Sequence, residues 1–521
     1  MDPSQLETLK GPGLFPDCPK EVEILQTHLS VVCLAGDFAY KFKKAIHLPF
    51  ADFTTLEKRR YFCEEELRLN RRLCPDVYLD VLPLRRDAGG SLHLGGGEGE
   101  IIDYALRMRR LPAGRMLDVL LEGNTVTAAE IAGIARRIVA FHALAQRGED
   151  VLALGDPEKL RTFALANFEE TLLYAGPDRV MPASLHAALA RRTRLDFEKH
   201  LPLMRERAIS GHVVDGHGDL HARNICLSDP VAIYDCIEFN PAFRCGDTAT
   251  EHAFLVMDLR FRGHAELATA YLDAVLAENG DEIMREILPM LVRYRSMVRA
   301  KVSVIAASES ELSEAVRNES AETARQYLRF AAASAIEEDG PWWLIFCGLP
   351  ASGKSSIGES LVKASSGAWP VFSSDRIRKE LAGIAAAETL PEKFYDPAFS
   401  QRTYEEVRDR AREVTPGSGV VILDANFRSR EERIFAREAA ANAGARLAIL
   451  HIETDESIVI ERLAQRSRDP HSESDADRSV YEKLKSVFEP PVPAEADLLI
   501  PVSGNISPDE ASDWILAGLL A

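Results

Sequence analysis

The 521-residue sequence lacks most features that mark secreted, membrane-spanning or metal-binding proteins. Its eight cysteines are scattered without a CxxC pair, so neither a zinc site nor a redox motif is indicated. No apolar run approaches the ~18 residues of a membrane span, and the N-terminus lacks a basic start followed by an apolar stretch. These absences predict a cytoplasmic protein with reduced thiols and no membrane association.

Positive charge is also scarce. The formal net charge is −19, and the parts before and after residue 335 are both acidic. Proteins that bind nucleic acids usually need a basic surface for the phosphate backbone. A nucleic-acid partner is therefore possible but not favoured, and the oligomeric state stays open.

The length predicts at least two domains, because one hydrophobic core rarely grows past about 250–300 residues. The polar stretch at 336–341, IEEDGP, combines charges with Gly and Pro and is the best candidate for a linker. We therefore predict one domain at 1–335 and another at 336–521.

The first predicted domain begins with β-rich segments and continues with helices. Segments at 21–46 indicate strands, the pattern at 54–73 indicates a helix, and two further strands follow before Pro112. The chain is mostly helical from there to the linker. Beyond the linker, strands alternate with helices, which favours a parallel sheet covered by helices.

A glycine-rich loop follows the apolar segment WWLIFC and precedes a helical pattern. Residues 348–355, GLPASGKS, fit GxxxxGK[ST] in full, in the strand–loop–helix context of a phosphate-binding loop. Backbone N–H groups and the helix N-terminus would face nucleotide phosphates, with Lys354 as a cation and Ser355 as a Mg²⁺ ligand. The positions that we assign to nucleotide binding are Gly348, Ala351, Ser352, Gly353, Lys354 and Ser355.

Acidic residues follow two other predicted strands of this region. Asp424 ends the apolar run VVILD, and we expect it to hold the Mg²⁺ shell unless it only caps the strand. Asp375 lies 21 residues beyond Lys354 and could accept a proton from an acceptor hydroxyl, although a helix N-cap is the alternative. Arg378 could then hold a phosphate.

Arginines cluster at a later predicted helix. Arg462 and Arg466 are spaced i,i+4 and share a face, and Arg468 follows in the polar segment at 467–479. They could close over ATP and neutralise the charge that moves during phosphate transfer. A solvated charged face is the alternative.

The second strong motif is HGDLHARN at 217–224. Phosphate transfer needs a base near the acceptor hydroxyl and oxygen ligands for Mg²⁺. Asp219 fits the base, and Asn224, five residues on, fits a metal ligand. Asp235, which ends the apolar run VAIYD, fits the main metal carboxylate.

These motifs resemble those of two kinase groups. Residues 340–521 resemble P-loop kinases such as polynucleotide 5′-kinases, gluconate kinase and zeta toxins, and HGDxHxxN resembles the catalytic loop of aminoglycoside phosphotransferases and choline kinases. The whole chain resembles the bifunctional aminoglycoside phosphotransferase/ATP-binding protein family. The resemblance implies an α+β, protein-kinase-like bilobal domain followed by an α/β P-loop domain with a parallel sheet, both using ATP and Mg²⁺.

The resemblance also implies a strand lysine paired with a helix glutamate. Lys41 and Lys43 alternate onto one face of their strand, and Lys41 is the preferred candidate. Glu64, Glu65 and Glu66 are available as partner, and Glu65 or Glu66 is favoured because these two share the apolar helical face.

Further positions follow from the same likeness. Residues 107–112 would form the hinge that meets adenine, and Asp247 and Glu251 match a structural segment in which Asp247 would anchor a loop. One departure is that no GxGxxG loop precedes Lys41.

The leading hypothesis is an enzyme with two kinase centres. The first would phosphorylate a hydroxyl of a small molecule, and the second would act on another small molecule or on a 5′-hydroxyl. A nucleic-acid end-processing kinase and an ATP-binding regulatory protein are the alternatives. A helix predicted at 285–305 carries four basic residues that indicate a solvated face rather than an anion pocket: Arg293, Arg295, Arg299 and Lys301.

Overall fold

The computed structural model describes residues 9–27, 29–48, 51–176, 179–385, 388, 390–466 and 478–521, with only the backbone described at 392 and 466. By spatial contacts the chain divides into two compact units, Met1–Thr162 with His200–Leu291 and Phe163–Lys199 with Val292–Ala521. The second unit contains helical residues on both sides of the predicted boundary after residue 335. The division into units does not test that boundary, which stays a prediction. In the described part of the chain, no helix combines the length and apolar character needed to cross a bilayer.

The first unit begins with an antiparallel sheet of six strands in the order β1-β2-β3-β8-β6-β7. A two-residue turn with Gly36 at φ +60° joins β2 to β3, as the Gly-Asp pair predicts. Helix α1 (Leu56–Asn70) packs on this sheet, and Thr55 caps its N-terminus. The strands of the unit are β1 (Val22–Gln26), β2 (Ser30–Ala35), β3 (Phe38–Lys43), β4 (His47–Leu48), β5 (Ala51–Asp52), β6 (Tyr78–Arg86), β7 (Leu92–Leu94), β8 (Glu100–Arg109), β9 (Val213–Asp215), β10 (Ile225–Cys226), β11 (Ala232–Ile233) and β12 (Cys245–Asp247).

Helices make up most of the chain between this six-stranded sheet and the parallel sheet of the second unit. The predicted capping box is confirmed, since the Thr127 hydroxyl accepts from the Glu130 N–H and the Glu130 carboxylate accepts from the Thr127 N–H. With the strand-rich start, these helices give the α+β, protein-kinase-like bilobal architecture that the sequence predicts. The helices are α2 (Leu117–Glu122), α3 (Ala128–Leu144), α4 (Glu149–Leu154), α5 (Pro157–Thr171), α6 (Ala183–Ile209), α7 (Pro241–Arg244), α8 (Thr248–Phe261), α9 (Ala265–Asn279), α10 (Met284–Ser308) and α11 (Glu314–Asp339).

The predicted linker at 336–341 is wrong over most of its length. Helix α11 continues through it to Asp339, Ile336 is fully buried, and the indole of Trp369 donates to Glu337 at 2.9 Å. Only Gly340 and Pro341 separate the helix from the next strand, and a side chain at Gly340 would overlap the Gly419 carbonyl. The polar residues of this stretch therefore belong to a packed helix end and contact other segments of the second unit.

The predicted solvated face on α10 is also wrong. Arg293 and Arg295 are 4% and 6% exposed. The Arg293 guanidinium lies 2.7 Å from Asp196 and 2.5 Å from Glu338, which lie far away in the sequence. Ion pairs therefore hold the buried Arg293, and Arg295 is buried beside it on the same helix, so these two arginines belong to a packed interior.

The remainder of the second unit contains a five-stranded sheet, with all strands parallel and in the order β14-β15-β13-β16-β17. Helices cover it, and the interior strand β13 is buried at every residue. This is the predicted α/β P-loop architecture. Its elements are β13 (Trp342–Cys347), α12 (Lys354–Ala364), β14 (Val371–Ser373), α13 (Ser374–Ala382), α14 (Pro397–Val414), β15 (Val420–Asp424), α15 (Arg430–Asn442), β16 (Arg446–Glu453), α16 (Glu456–Arg466), α17 (Arg478–Lys485), β17 (Leu498–Ser503) and α18 (Pro508–Leu519).

Candidate functional site

In the first unit, a strand lysine meets a helix glutamate and a loop carboxylate. The Lys41 ammonium on β3 lies 2.8 Å from Glu66 on α1 and 2.7 Å from Asp235. The Glu66 side chain is fully buried, whereas the Asp235 side chain is 43% exposed. Lys41 therefore connects a rigid interior carboxylate to one that can reach a ligand.

Glu66, rather than Glu65, is the partner of Lys41. The Glu65 carboxylate lies on another face of α1, where Arg68 donates to it at 2.6 and 2.7 Å. Lys43 also lies 2.7 Å from Glu66, so the two lysines share one face of β3 as alternation predicts. Among the three candidate glutamates, only Glu66 forms ion pairs with these two lysines in the part of the chain that the structure describes.

The HGDLHARN segment forms a tight loop around Asp219. The Asn224 amide donates to the Asp219 carboxylate and to its backbone carbonyl, both at 3.0 Å. A His221 ring nitrogen lies 3.3 Å from the same carboxylate. The Asp219 side chain remains 30% exposed, so a carboxylate that is oriented by its neighbours still faces solvent.

The Glu251 carboxylate fixes the backbone at the start of this loop. This buried carboxylate accepts from the backbone N–H groups of His217 and Gly218, the latter at 2.7 Å, and lies 2.6 Å from the His142 ring. Burial alone raises the pKa of Glu251, but the His142 contact, the charge of His217 and the Gly218 N–H lower it to about 2. Asp247 is 2.8 Å from Arg207 and caps α8, which fits the predicted anchoring role.

Asp235 is brought to the loop by backbone pairing. Strands β10 and β11 pair so that the Tyr234 N–H donates to the Asn224 carbonyl at 3.0 Å. Asp235 itself adopts φ +63°, an uncommon conformation for a residue other than glycine, and its N–H donates to the Tyr78 hydroxyl at 3.2 Å. Tyr78 has no sequence signal and was missed.

The predicted hinge, residues 107–112, lies at the C-terminal end of strand β8. The Arg109 and Arg110 N–H groups each donate at 2.8 Å, to the carbonyls of Val77 and Asp37 respectively. These bonds fix the backbone where the strands give way to helices.

In the second unit, the phosphate loop joins β13 to α12 as predicted. Ala351 and Gly353 have φ values of +59° and +104°, so the loop curls before the helix begins at Lys354. The Lys354 ammonium donates across the loop to the carbonyls of Gly348 and Leu349, at 3.0 and 2.8 Å. Gly348, Ala351, Ser352, Gly353, Lys354 and Ser355 thus form one continuous loop and helix start.

The predicted acidic residues lie at the same edge of the parallel sheet. The Ser355 hydroxyl donates to Asp424 at 2.9 Å, which brings the two predicted Mg²⁺ ligands together. Ser373 of β14 pairs in register with Asp424 of β15, and Asp375 follows two residues later in the first turn of α13. The N-cap of that helix is Ser373, so Asp375 is not the cap.

The predicted arginines differ in placement. Arg378 is 7% exposed, donates to the Phe394 carbonyl at 3.1 Å and keeps a buried Nε without a partner among the described residues. Arg462 donates to the Gly504 carbonyl at 2.9 Å and borders a cavity of about 320 Å³ beside the phosphate loop. The Arg466 side chain and Arg468 lie outside the described residues.

Both sites offer ligands that suit Mg²⁺. This ion usually takes one or two carboxylates and completes its shell with water and substrate phosphates. Asn224 with Asp235, and Ser355 with Asp424, supply such oxygen donors. Among the described residues no cluster of three or more His, Cys, Asp or Glu side chains forms a metal cage.

Comparisons with known proteins cover both parts of the chain. Residues 344–491, which include Lys354, Asp375, Asp424 and Arg462, match the family model of an AAA domain. Uncharacterized proteins of Mycobacterium bovis and Mycobacterium tuberculosis are 27% identical over 454 residues, covering 86% of this chain and 86% of each relative.

Two solved structures are similar in part. A gluconokinase from Sinorhizobium meliloti is 23% identical and covers 34% of this chain and 91% of its own, with a TM-score of 0.25. A choline/ethanolamine kinase family protein from Mesorhizobium loti is 12% identical and covers 62% of this chain and 94% of its own, with a TM-score of 0.36.

Proposed function

We propose that the chain is an ATP-dependent phosphotransferase with two centres. At the first, Asp219 accepts the proton of a hydroxyl on a small molecule while Lys41, oriented by Glu66, holds the phosphates of ATP. The observation that carries this proposal is the Lys41 ammonium between Glu66 and Asp235, within the same unit as the Asp219–Asn224 pair.

The second centre lies at the phosphate loop. Its backbone N–H groups and Lys354 bind the phosphates, and Asp375 takes the proton of a second small-molecule hydroxyl or a 5′-hydroxyl. Arg462, beside the loop, and Arg378, whose buried Nε lacks a partner among the described residues, would oppose phosphate charge.

Mg²⁺ bound at either centre would neutralise phosphate charge as ATP reacts. Asn224 and Asp235 would hold it at the first centre, and Ser355 and Asp424 at the second. The chain's own contribution is to orient a base and to exclude alternative positions of the phosphates.

A transfer assay with γ-labelled ATP and a small-metabolite extract tests the proposal. Wild-type protein should label two sets of products. Asp219→Asn should abolish one set and Lys354→Ala the other, because each removes a group from only one centre. Identical product patterns in all three proteins would refute two separate centres.

The same assay distinguishes other functions. Labelling of oligonucleotide 5′ ends with strong salt dependence would favour a nucleic-acid end kinase. ATP binding without labelled product from any extract would favour a regulatory protein.

A further inference from the structure

A second buried ion pair lies behind the Lys41–Glu66 pair. The Lys43 ammonium contacts Glu238 and also lies 2.7 Å from the second oxygen of Glu66. Glu238 follows Asp235 by three residues, so this contact joins β3 and α1 to the segment that carries Asp235. Neither Lys43 nor Glu238 has an assigned role in the proposed reaction.

The side chains of Lys41 and Lys43 differ in solvent exposure, which indicates different roles. The Lys43 side chain is 1% exposed and its ammonium lies 5.0 Å from the centre of the Phe53 ring, whereas the Lys41 side chain is 15% exposed. A group enclosed by Phe53, Glu66 and Glu238 cannot reach a nucleotide in solvent. Lys43 therefore acts on its neighbours.

The charges in this cluster balance in an informative way. The two ammonium groups of Lys41 and Lys43 face the two glutamates, Glu66 and Glu238, with Asp235 as a third carboxylate. Because the two lysines and the two glutamates balance in charge, Asp235 carries the excess negative charge of the cluster, and its partly exposed carboxylate contacts Lys41 while still facing solvent. If Glu238 lost its charge, the Lys43 ammonium would have Glu66 as its remaining anion and would compete with Lys41 for it.

We propose that Lys43 and Glu238 are positioning residues, which hold Glu66 so that Lys41 points at the nucleotide phosphates. The inference rests on the proposed function of the first centre. It assigns the second lysine and the second glutamate to the geometry of ATP binding rather than to contact with ATP.

Nucleotide affinity gives the direct test. In full-length protein carrying Lys354→Ala, which silences the phosphate loop, calorimetry measures the binding of a non-hydrolysable ATP analogue with Mg²⁺. Glu238→Gln and Lys43→Met should each weaken binding about tenfold. Each leaves one buried charge without its partner and displaces Glu66. The double variant leaves no buried charge unpaired and should recover most of the melting temperature, but it lacks both groups that hold Glu66 and should bind as weakly as the single variants.

Controls separate positioning from stability. Lys44→Met, at the next lysine, and Glu64→Gln, whose carboxylate pairs with exposed Arg60, should bind as the parent does. Thermal unfolding of each variant is measured alongside. The proposal is overturned if both single variants keep the parent affinity, or if the double variant regains affinity together with its melting temperature, because the loss in the single variants would then be one of stability.

Failure of the underlying function gives a different result. If the Lys354→Ala parent does not bind the analogue, or if Lys41→Met leaves its binding unchanged, the first centre is not an ATP site. In a further case, the parent binds the analogue and Lys41→Met weakens that binding, while the Lys43 and Glu238 variants keep the parent affinity. This result would refute the positioning role alone and leave the ATP site intact.

Discussion

Replacing Glu251 by glutamine should destabilise the first unit and release the loop at 217–224. The Glu251 carboxylate is buried, accepts from two backbone N–H groups and contacts His142. Its pKa lies at about 2 instead of its ordinary 4.5. Such a shift corresponds to about 3 kcal/mol of stability, at about 1.4 kcal/mol per unit.

The pH dependence follows from the direction of this shift. Because the pKa is lower in the folded state, the contribution is complete above the unfolded value near 4.5 and is lost as the pH falls towards 2. Glu251→Gln should therefore cost about 3 kcal/mol at pH 7, and its deficit relative to wild type should narrow by about 1 kcal/mol at pH 4.

Thermal unfolding followed by circular dichroism measures this difference. The melting temperature of Glu251→Gln should fall by about 6–12 °C at pH 7, given about 2–4 °C per kcal/mol for a unit of this size. Glu278→Gln, on the exposed part of α9, is the matched control and should melt within about 1 °C of wild type. Equal melting temperatures for Glu251→Gln and wild type would refute the reasoning.

Substitutions at three further positions have defined outcomes. Gly218→Ala should lower the melting temperature and the labelling by the first centre, because Gly218 has φ +85° and an added Cβ would lie 2.9 Å from the Phe243 carbonyl oxygen. Ala351→Gly should keep ATP-analogue affinity in calorimetry, whereas a valine there should weaken it, since φ +59° strains a β-branched residue. In an Asp219→Asn background, Asp424→Asn should lower the remaining label transfer about a hundredfold, and undiminished transfer would remove Asp424 from the site.

Local patterns predicted the phosphate loop and much of its surroundings. GLPASGKS fixes a strand, a curled loop and a helix start within a few residues, and the structure has β13, that loop and α12 in this order. Strand alternation likewise placed Lys41 and Lys43 on one face. These features depend on neighbours in the sequence, which explains why they could be predicted.

Features that depend on distant partners could not be predicted. Glu65 and Glu66 differ by one helical position, and only the packing of α1 on the sheet, against β6 and β8, buries Glu66 and leaves Glu65 to Arg68. Arg293 of α10 looks solvated in the sequence, but the Asp196 carboxylate comes from a distant segment and allows its burial. Glu238 was missed for the same reason.

The number of nucleotide sites tests the account most directly. Equilibrium dialysis of the full chain with a labelled non-hydrolysable ATP analogue and Mg²⁺ should give two bound equivalents per chain for wild type. Lys354→Ala and Lys41→Met should each give one, since each removes the phosphate-facing cation of one centre. A single equivalent in wild type, or the loss of both equivalents in either variant, would contradict two independent centres.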